Sequence, residues 1–302
     1  MAVSPPSLSA SDQCAAMPWE ECVMTSESTG STPPDDPAPQ PPGLPEVNTV
    51  TVDDITASLR AGVSDFLARP VMSGFFGLFY AVFGILFVWC LVWLGKVWMV
   101  IPAAIGFPLV APFAAAGLYE MSRRLQKGES FGWSAILSVI ASQRKREMGW
   151  MAFVTLFILW VWFYQFRTVL VIVLKDSSFS DLDGFLNTVF YTPQGWTFLA
   201  IGFCVGAFLS AVLFSVTVVA MPMLLDREMD FVSAMLTSVN VVRENPVVML
   251  GWAAIISVTM VVSMVPAFLG LIVTLPILGH TTWHLYQRAV APSDAGSAPA
   301  SP

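Results

Sequence analysis

Charge is missing from the C-terminal part of the sequence, where residues 247–287 contain no aspartate, glutamate, lysine or arginine in 41 consecutive positions. Such a stretch is stable in hydrocarbon rather than in water. A single straight helix over it would run roughly 60 Å, about twice the apolar thickness of a bilayer. We therefore expect two membrane helices with a break at residues 263–266, where Pro266 disfavours helical geometry.

Charged residues are scarce in the chain as a whole, at 12% against about 25% in an ordinary soluble domain. Hydrophobic residues reach 56%, and only two histidines and four cysteines are present. The composition favours a multi-pass membrane protein, and the cysteine spacing matches neither a zinc pattern nor a disulfide framework. Because no phosphate-binding loop, nucleophile elbow or paired-carboxylate motif stands in a plausible place, we expect a protein that is not an enzyme.

The first 48 residues lack lysine and arginine entirely. They contain seven acidic residues, equal to the net charge of −7, and ten of the 22 prolines. Such a segment buries too little apolar surface to offset its ordering entropy, so we predict a disordered, acidic, proline-rich cytoplasmic tail over residues 1–48. Its charge would repel nucleic acid, and we expect no nucleic-acid partner. A second disordered tail is predicted over residues 291–302.

Between the two tails, apolar spans alternate with polar segments. The predicted membrane domain, residues 49–290, contains six spans at about residues 72–95, 98–119, 148–170, 196–221, 247–265 and 267–287. Thr51 and Asp54 form a capping-box pattern for a helix that stops at Pro70, and Asp230 is a predicted N-cap for a helix that stops at Pro246. The predicted fold is an all-α membrane protein with six transmembrane helices as three hairpins, each preceded by a short amphipathic interfacial helix.

The three hairpin units share further features that indicate an internal repeat. Each second span closes near a proline, at Pro112, Pro222 and Pro276. With six crossings, eleven of the fourteen basic residues lie on the side of the N-terminus. The positive-inside rule then places both termini in the cytoplasm. The lipid bilayer is the expected partner, and other membrane proteins are candidate partners.

Four polar residues recur at equivalent positions near the inner ends of the second, fourth and sixth spans. Counting from each closing proline in steps of four reaches Glu120, Asp226, and then His280 and His284. We expect these side chains to meet if the units pack around a common centre. Two imidazoles at this spacing can share one metal ion, completed by a carboxylate. The interpretation that we favour is an interface cluster of hydrogen bonds with no cofactor.

Two functions follow from these observations. The first is a non-enzymatic role as a scaffold, an assembly factor or a protein that handles small solutes or lipids. The second is a redox accessory subunit that binds one metal ion or haem through His280 and His284. The main subunit of haem-copper oxidases is excluded, because two haems and a copper need about six histidine ligands.

Five short motifs carry a family resemblance. They lie at residues 61–70, 112–120, 224–227, 244–246 and 278–286, and the last reads LGHTTWHLY. Over about residues 50–290 the chain resembles domain-of-unknown-function family 2189, a group of bacterial integral membrane proteins. The resemblance implies a multi-pass protein of the bacterial inner membrane with no established activity, and the acidic tail falls outside it.

Overall fold

The computed structural model describes residues 44–93, 111–143, 148–175 and 182–292, and eleven helices fill most of this chain. In order they are α1 (Val52–Ala68), α2 (Pro70–Trp93), α3 (Ala111–Gln126), α4 (Trp133–Gln143), α5 (Met148–Leu174), α6 (Leu182–Tyr191), α7 (Pro193–Thr217), α8 (Ala220–Asp226), α9 (Phe231–Glu244), α10 (Pro246–Met264) and α11 (Leu271–Ala289). The described residues contain no strand, only an isolated antiparallel bridge between Val47 and Val290. The predicted all-α class is confirmed for these residues. Most of both predicted tails and the first part of the predicted span 98–119 lie outside them.

Four helical segments of the described chain are long and apolar enough to cross a membrane. They are Pro70–Cys90, Gly149–Leu174, Pro193–Asp226 and Pro246–Met264, and they correspond to the first, third, fourth and fifth predicted spans. Their outer surfaces are apolar, since Phe79, Phe153, Phe203 and Val258 are each more than 60% exposed. Apolar side chains on the outside of a helix match hydrocarbon rather than water.

Helix α11, which corresponds to the sixth predicted span, is not among those four segments. It packs against α1, α2 and α3, and twelve of its 19 residues are buried. Several of these buried residues are polar, which lowers its apolar content. The helix is therefore surrounded by protein on much of its surface, and its neighbours can pair its polar groups.

The helices α1 and α2 approach α11 closely at glycines. A Cβ on Gly62 would lie 2.4 Å from Thr281 Oγ1, and one on Gly77 would lie 2.4 Å from the Leu271 carbonyl oxygen. Near the start of α1, the Asp54 carboxylate pairs with Arg288 at 3.3 Å. The amphipathic helix predicted ahead of the first span thus runs antiparallel along the polar half of α11.

Both predicted helix starts are confirmed. The Thr51 side chain accepts a hydrogen bond from the Asp54 N–H, and the Asp54 carboxylate accepts one from the Thr51 N–H, at 3.2 and 3.0 Å. The Asp230 carboxylate accepts one from the Ser233 N–H at 2.8 Å. These bonds satisfy N–H groups that have no partner inside a helix.

The junctions after α1 and α9 have nearly the same backbone geometry. Arg69 (φ −142°, ψ 60°) separates α1 from Pro70, and Asn245 (φ −124°, ψ 50°) separates α9 from Pro246. Proline disfavours helical geometry in the preceding residue, and this produces a bend at each site. The break predicted at residues 263–266 is confirmed as well, because α10 ends at Met264 and six residues separate it from the start of α11 at Leu271.

One helix was not predicted. Residues 182–191, expected to be part of a polar loop, form α6. Its Phe185 and Val189, four residues apart, are buried against Leu170 of α5 and Phe198 of α7. This packing stabilises a segment too short to form a stable helix by itself.

Candidate functional site

His280 lies at the centre of a polar cluster between α11 and three other helices, and it is fully buried. Its Nε2 atom is 3.0 Å from Ser73 Oγ on α2, and its Nδ1 atom is 2.7 Å from Ser122 Oγ on α3. The Ser122 hydroxyl donates to the Asp65 carboxylate on α1 at 2.7 Å. One imidazole therefore joins α11 directly to α2 and α3, and indirectly to α1.

The directions of these hydrogen bonds follow from the donors available. An ionised Asp65 only accepts, so the single hydroxyl hydrogen of Ser122 points to Asp65. His280 Nδ1 must then donate to Ser122, and Nε2 accepts from the Ser73 hydroxyl. This assignment describes a neutral imidazole held in one tautomer.

Asp65 also joins the second histidine to the cluster. His284 Nε2 lies 2.8 Å from Asp65 Oδ2, and the Gln126 amide lies 3.0 Å from His284 Nδ1. Burial alone would raise the pKa of Asp65, but the hydrogen bonds from His284 and Ser122 outweigh it, so the pKa of this carboxyl is below its ordinary value. Asp65 is therefore ionised at neutral pH.

The structure brings His280 and His284 into one cluster and gives the two predicted carboxylates other partners. Glu120 is fully buried and forms ion pairs with Arg124 at 2.6 Å and Arg123 at 2.8 Å, both on its own helix. Asp226 accepts a hydrogen bond from the Tyr286 hydroxyl at 2.9 Å. Across the residues that the structure describes, neither carboxylate forms a hydrogen bond or ion pair with an imidazole.

Asp65 is the residue that sequence reasoning missed. It lies on the polar side of α1, and counting from the prolines does not reach it. The one signal was its place in the motif at residues 61–70, which accompanies the motif containing both histidines. A contact over 219 positions of sequence leaves no local pattern.

The hydrogen bonds of this cluster connect neighbouring helices. Both ring nitrogens of His280 and of His284 are occupied by hydrogen bonds. The described part of the chain contains no group of three or more histidine, cysteine, aspartate or glutamate side chains that could hold a metal ion. A metal site built from Glu120, Asp226 and the two histidines stays a prediction.

A cavity of about 800 Å³ lies among α3, α5, α7, α10 and α11. Its wall is mostly apolar, and no described aspartate, glutamate, lysine or arginine lines it. Lining residues on α7 extend from Phe198 to Thr217, which corresponds to about 30 Å of helix. Gly202 is in this wall, and a Cβ built on it would meet no atom within 4 Å. The cavity is therefore long, uncharged and accessible beside Gly202.

Comparison with known proteins agrees with the resemblance drawn from the motifs. Residues 99–226 match the family model described as predicted integral membrane protein, DUF2189. The match includes the motif at 112–120 and most of that at 224–227, whereas the motif at 278–286 lies outside it. No curated protein and no solved structure matches the chain.

Proposed function

We propose that this chain, whose residues 99–226 match family 2189 of integral membrane proteins, is a non-enzymatic lipid-handling protein that holds a lipid hydrocarbon chain in the cavity. The observation that carries the proposal is the long apolar cavity itself. Three of the helices that line it, α5, α7 and α10, are among the four segments able to cross a membrane. The medium around them is lipid, so the molecules that meet the cavity have hydrocarbon chains.

Physical chemistry favours a hydrocarbon occupant over water or an empty space. Along the apolar length of the cavity, water lacks the two to four polar partners that it needs. An empty cavity leaves its lining atoms without van der Waals partners on one side. A lipid chain restores those contacts without losing hydrogen bonds. The cavity volume also lies within the range of ligand pockets, roughly 300–1,000 Å³.

Gly202 provides the test of this function. Trp at Gly202 would enter the cavity, while Trp at Gly251 of α10 would point outward, because Gly251 is exposed and a Cβ there also meets nothing within 4 Å. Lipid retained by each purified variant is extracted and quantified per mole of protein. We expect Gly202→Trp to lose bound lipid and Gly251→Trp to match the wild type. Equal retention by a folded Gly202→Trp protein would rule out the cavity as the binding site.

We further propose six crossings of a bacterial inner membrane, as three repeated hairpins with both termini in the cytoplasm. The distribution of basic residues and the matching junctions at Arg69 and Asn245 support this arrangement. A membrane-impermeant maleimide applied to intact cells should leave Cys14 and Cys22 unlabelled until the cells are permeabilised. Labelling of these cysteines in intact cells would place the N-terminal tail outside.

The second candidate function is a metal- or haem-binding redox accessory, which the proximity of His280 and His284 favours. To bind a metal, each imidazole would have to exchange a hydrogen bond to Ser73, Ser122, Asp65 or Gln126 for a coordination bond. The metal content and visible spectrum of the purified protein test it. A stoichiometric metal or a Soret band that disappears in His280→Ala would make this function the better one.

A further inference from the structure

Two side chains of the cavity wall carry hydrogen-bond donors. Tyr119 of α3 is 4% exposed and Trp162 of α5 is 5% exposed, and both residues line the cavity. Among the residues that the structure describes, neither the Tyr119 hydroxyl nor the Trp162 indole N–H has a hydrogen-bond partner. In the described chain, the polar atoms that are fully buried without a partner do not include these two donors. Each donor therefore keeps access to the cavity, where a ligand can accept a hydrogen bond from it.

The Trp162 N–H is located at the wall itself. A Cβ built on Gly206, another lining residue, would lie 3.5 Å from Trp162 Nε1. Indole nitrogen donates a hydrogen bond and cannot accept one. The group that completes this part of the cavity must therefore carry an acceptor.

The wall of the cavity also disfavours a charged ligand. No described acidic or basic side chain lines the cavity, and an ion without a partner in an apolar site carries a large desolvation cost. Phe198, Phe203 and Phe214 add apolar surface to the wall. A phosphate headgroup does not suit this environment, whereas a carbonyl oxygen accepts hydrogen bonds without adding charge.

We propose that the cavity binds a neutral long-chain lipid whose carbonyl groups accept hydrogen bonds from Trp162 and Tyr119. The inference rests on the proposed lipid-handling function and adds the chemical class of the ligand. The hydrocarbon chain occupies the apolar length of the cavity along α7. The carbonyl groups pair the two donors that otherwise lack a partner.

The test compares two probes of equal chain length that differ in the acceptor. Tritiated methyl oleate carries an ester carbonyl, and tritiated 9-octadecene carries none. Dissociation constants are measured for the full-length protein in nanodiscs of dioleoylphosphatidylcholine. We expect methyl oleate to bind about fivefold tighter than octadecene, the ratio that corresponds to a typical net hydrogen bond.

Matched variants assign that difference to the two donors. Tyr119→Phe removes only the hydroxyl, and Trp162→Phe removes the indole N–H; each should reduce the preference for the ester. Tyr164→Phe and Trp160→Phe on α5 are the controls, because these side chains are 64% and 63% exposed on its outer surface. The controls should keep the wild-type preference.

The possible outcomes separate the ligand class from the function. If both probes bind equally and Gly202→Trp abolishes both, the lipid-binding function stands and the carbonyl assignment is wrong. If neither probe binds the wild type, the proposed function itself fails. Dioleoylphosphatidylglycerol that displaces methyl oleate at equal concentration from the wild type would overturn the requirement for a neutral ligand. The wild-type comparison decides the question even if a variant does not fold.

Discussion

The close approach of α2 to α11 predicts that alanine at Gly77 is strongly destabilising. A Cβ at this position would lie 2.4 Å from the Leu271 carbonyl oxygen and 2.6 Å from Ile272 Cα. Both atoms belong to the backbone of α11, so no side-chain rotation relieves the overlap. To accommodate the methyl group, α2 and α11 must move apart along a contact that also holds Ser73 against His280.

The expected magnitude combines two opposing effects. Overpacking a close contact costs about 1–3 kcal/mol, and a backbone neighbour places Gly77→Ala near the upper limit. Alanine inside a helix regains about 0.5–1 kcal/mol relative to glycine. The net loss should be about 2 kcal/mol. The control Gly251→Ala has only the favourable effect, because a Cβ there meets nothing within 4 Å.

The assay is reversible unfolding of the purified protein in mixed dodecylmaltoside and dodecyl sulfate micelles. The free energy of unfolding is compared among wild type, Gly77→Ala and Gly251→Ala. A difference of about 3 kcal/mol between the two variants is expected from the sum of these effects. If the two variants were equally stable, α2 and α11 could not approach as closely as described, and the packing around His280 would need revision.

Three other predictions concern buried and capping polar groups. Asp65→Asn should lower stability at pH 7 by about 1–2 kcal/mol through weaker hydrogen bonds. The pKa of Asp65 lies below its ordinary value of 3.8, so the wild type loses this advantage as pH falls through the folded-state pKa. The melting temperatures of the two proteins should therefore converge below about pH 4. A difference in melting temperature that stays constant with pH would contradict the assignment. Asp230→Ala should cost about 1 kcal/mol in chemical unfolding while Asp230→Asn, which also caps, should cost little; equal losses would exclude a capping role. Arg124→Gln should cost about 2 kcal/mol of stability, because it leaves buried Glu120 with one partner. The double variant with Glu120→Gln should recover most of that loss in the same assay. A double variant as unstable as Arg124→Gln would argue against the ion pair.

Local sequence signals predicted several helix boundaries correctly. The capping box at Thr51, the N-cap at Asp230, the bends before Pro70 and Pro246 and the break near Pro266 are all present. Each of these signals acts through backbone geometry or a hydrogen bond within about four residues. The missed helix α6 had weak local signals and depends on burial of Phe185.

The candidate site depends on contacts between distant residues, which no local sequence pattern indicates. Spacing along α11 identified two histidines on one side of a helix. Asp65 links them, because it bonds directly to His284, 219 positions away in the sequence, and to His280 through Ser122. Glu120 is held by neighbouring arginines of its own helix. Counting in steps of four places residues on a face of one helix, and it does not say which face of another helix will pack there.

By itself, the sequence determined that this is an apolar, helical membrane chain with particular starts and breaks, because hydropathy, capping and proline act locally. Only the tertiary structure decided that Asp65 joins the two histidines and that the helices enclose a long uncharged cavity with Tyr119 and Trp162 in its wall. These features depend on how closely distant helices approach and on which side chains then face one another. That outcome arises from packing over the whole chain, to which small residues such as Gly77 contribute at positions that sequence periodicity does not mark.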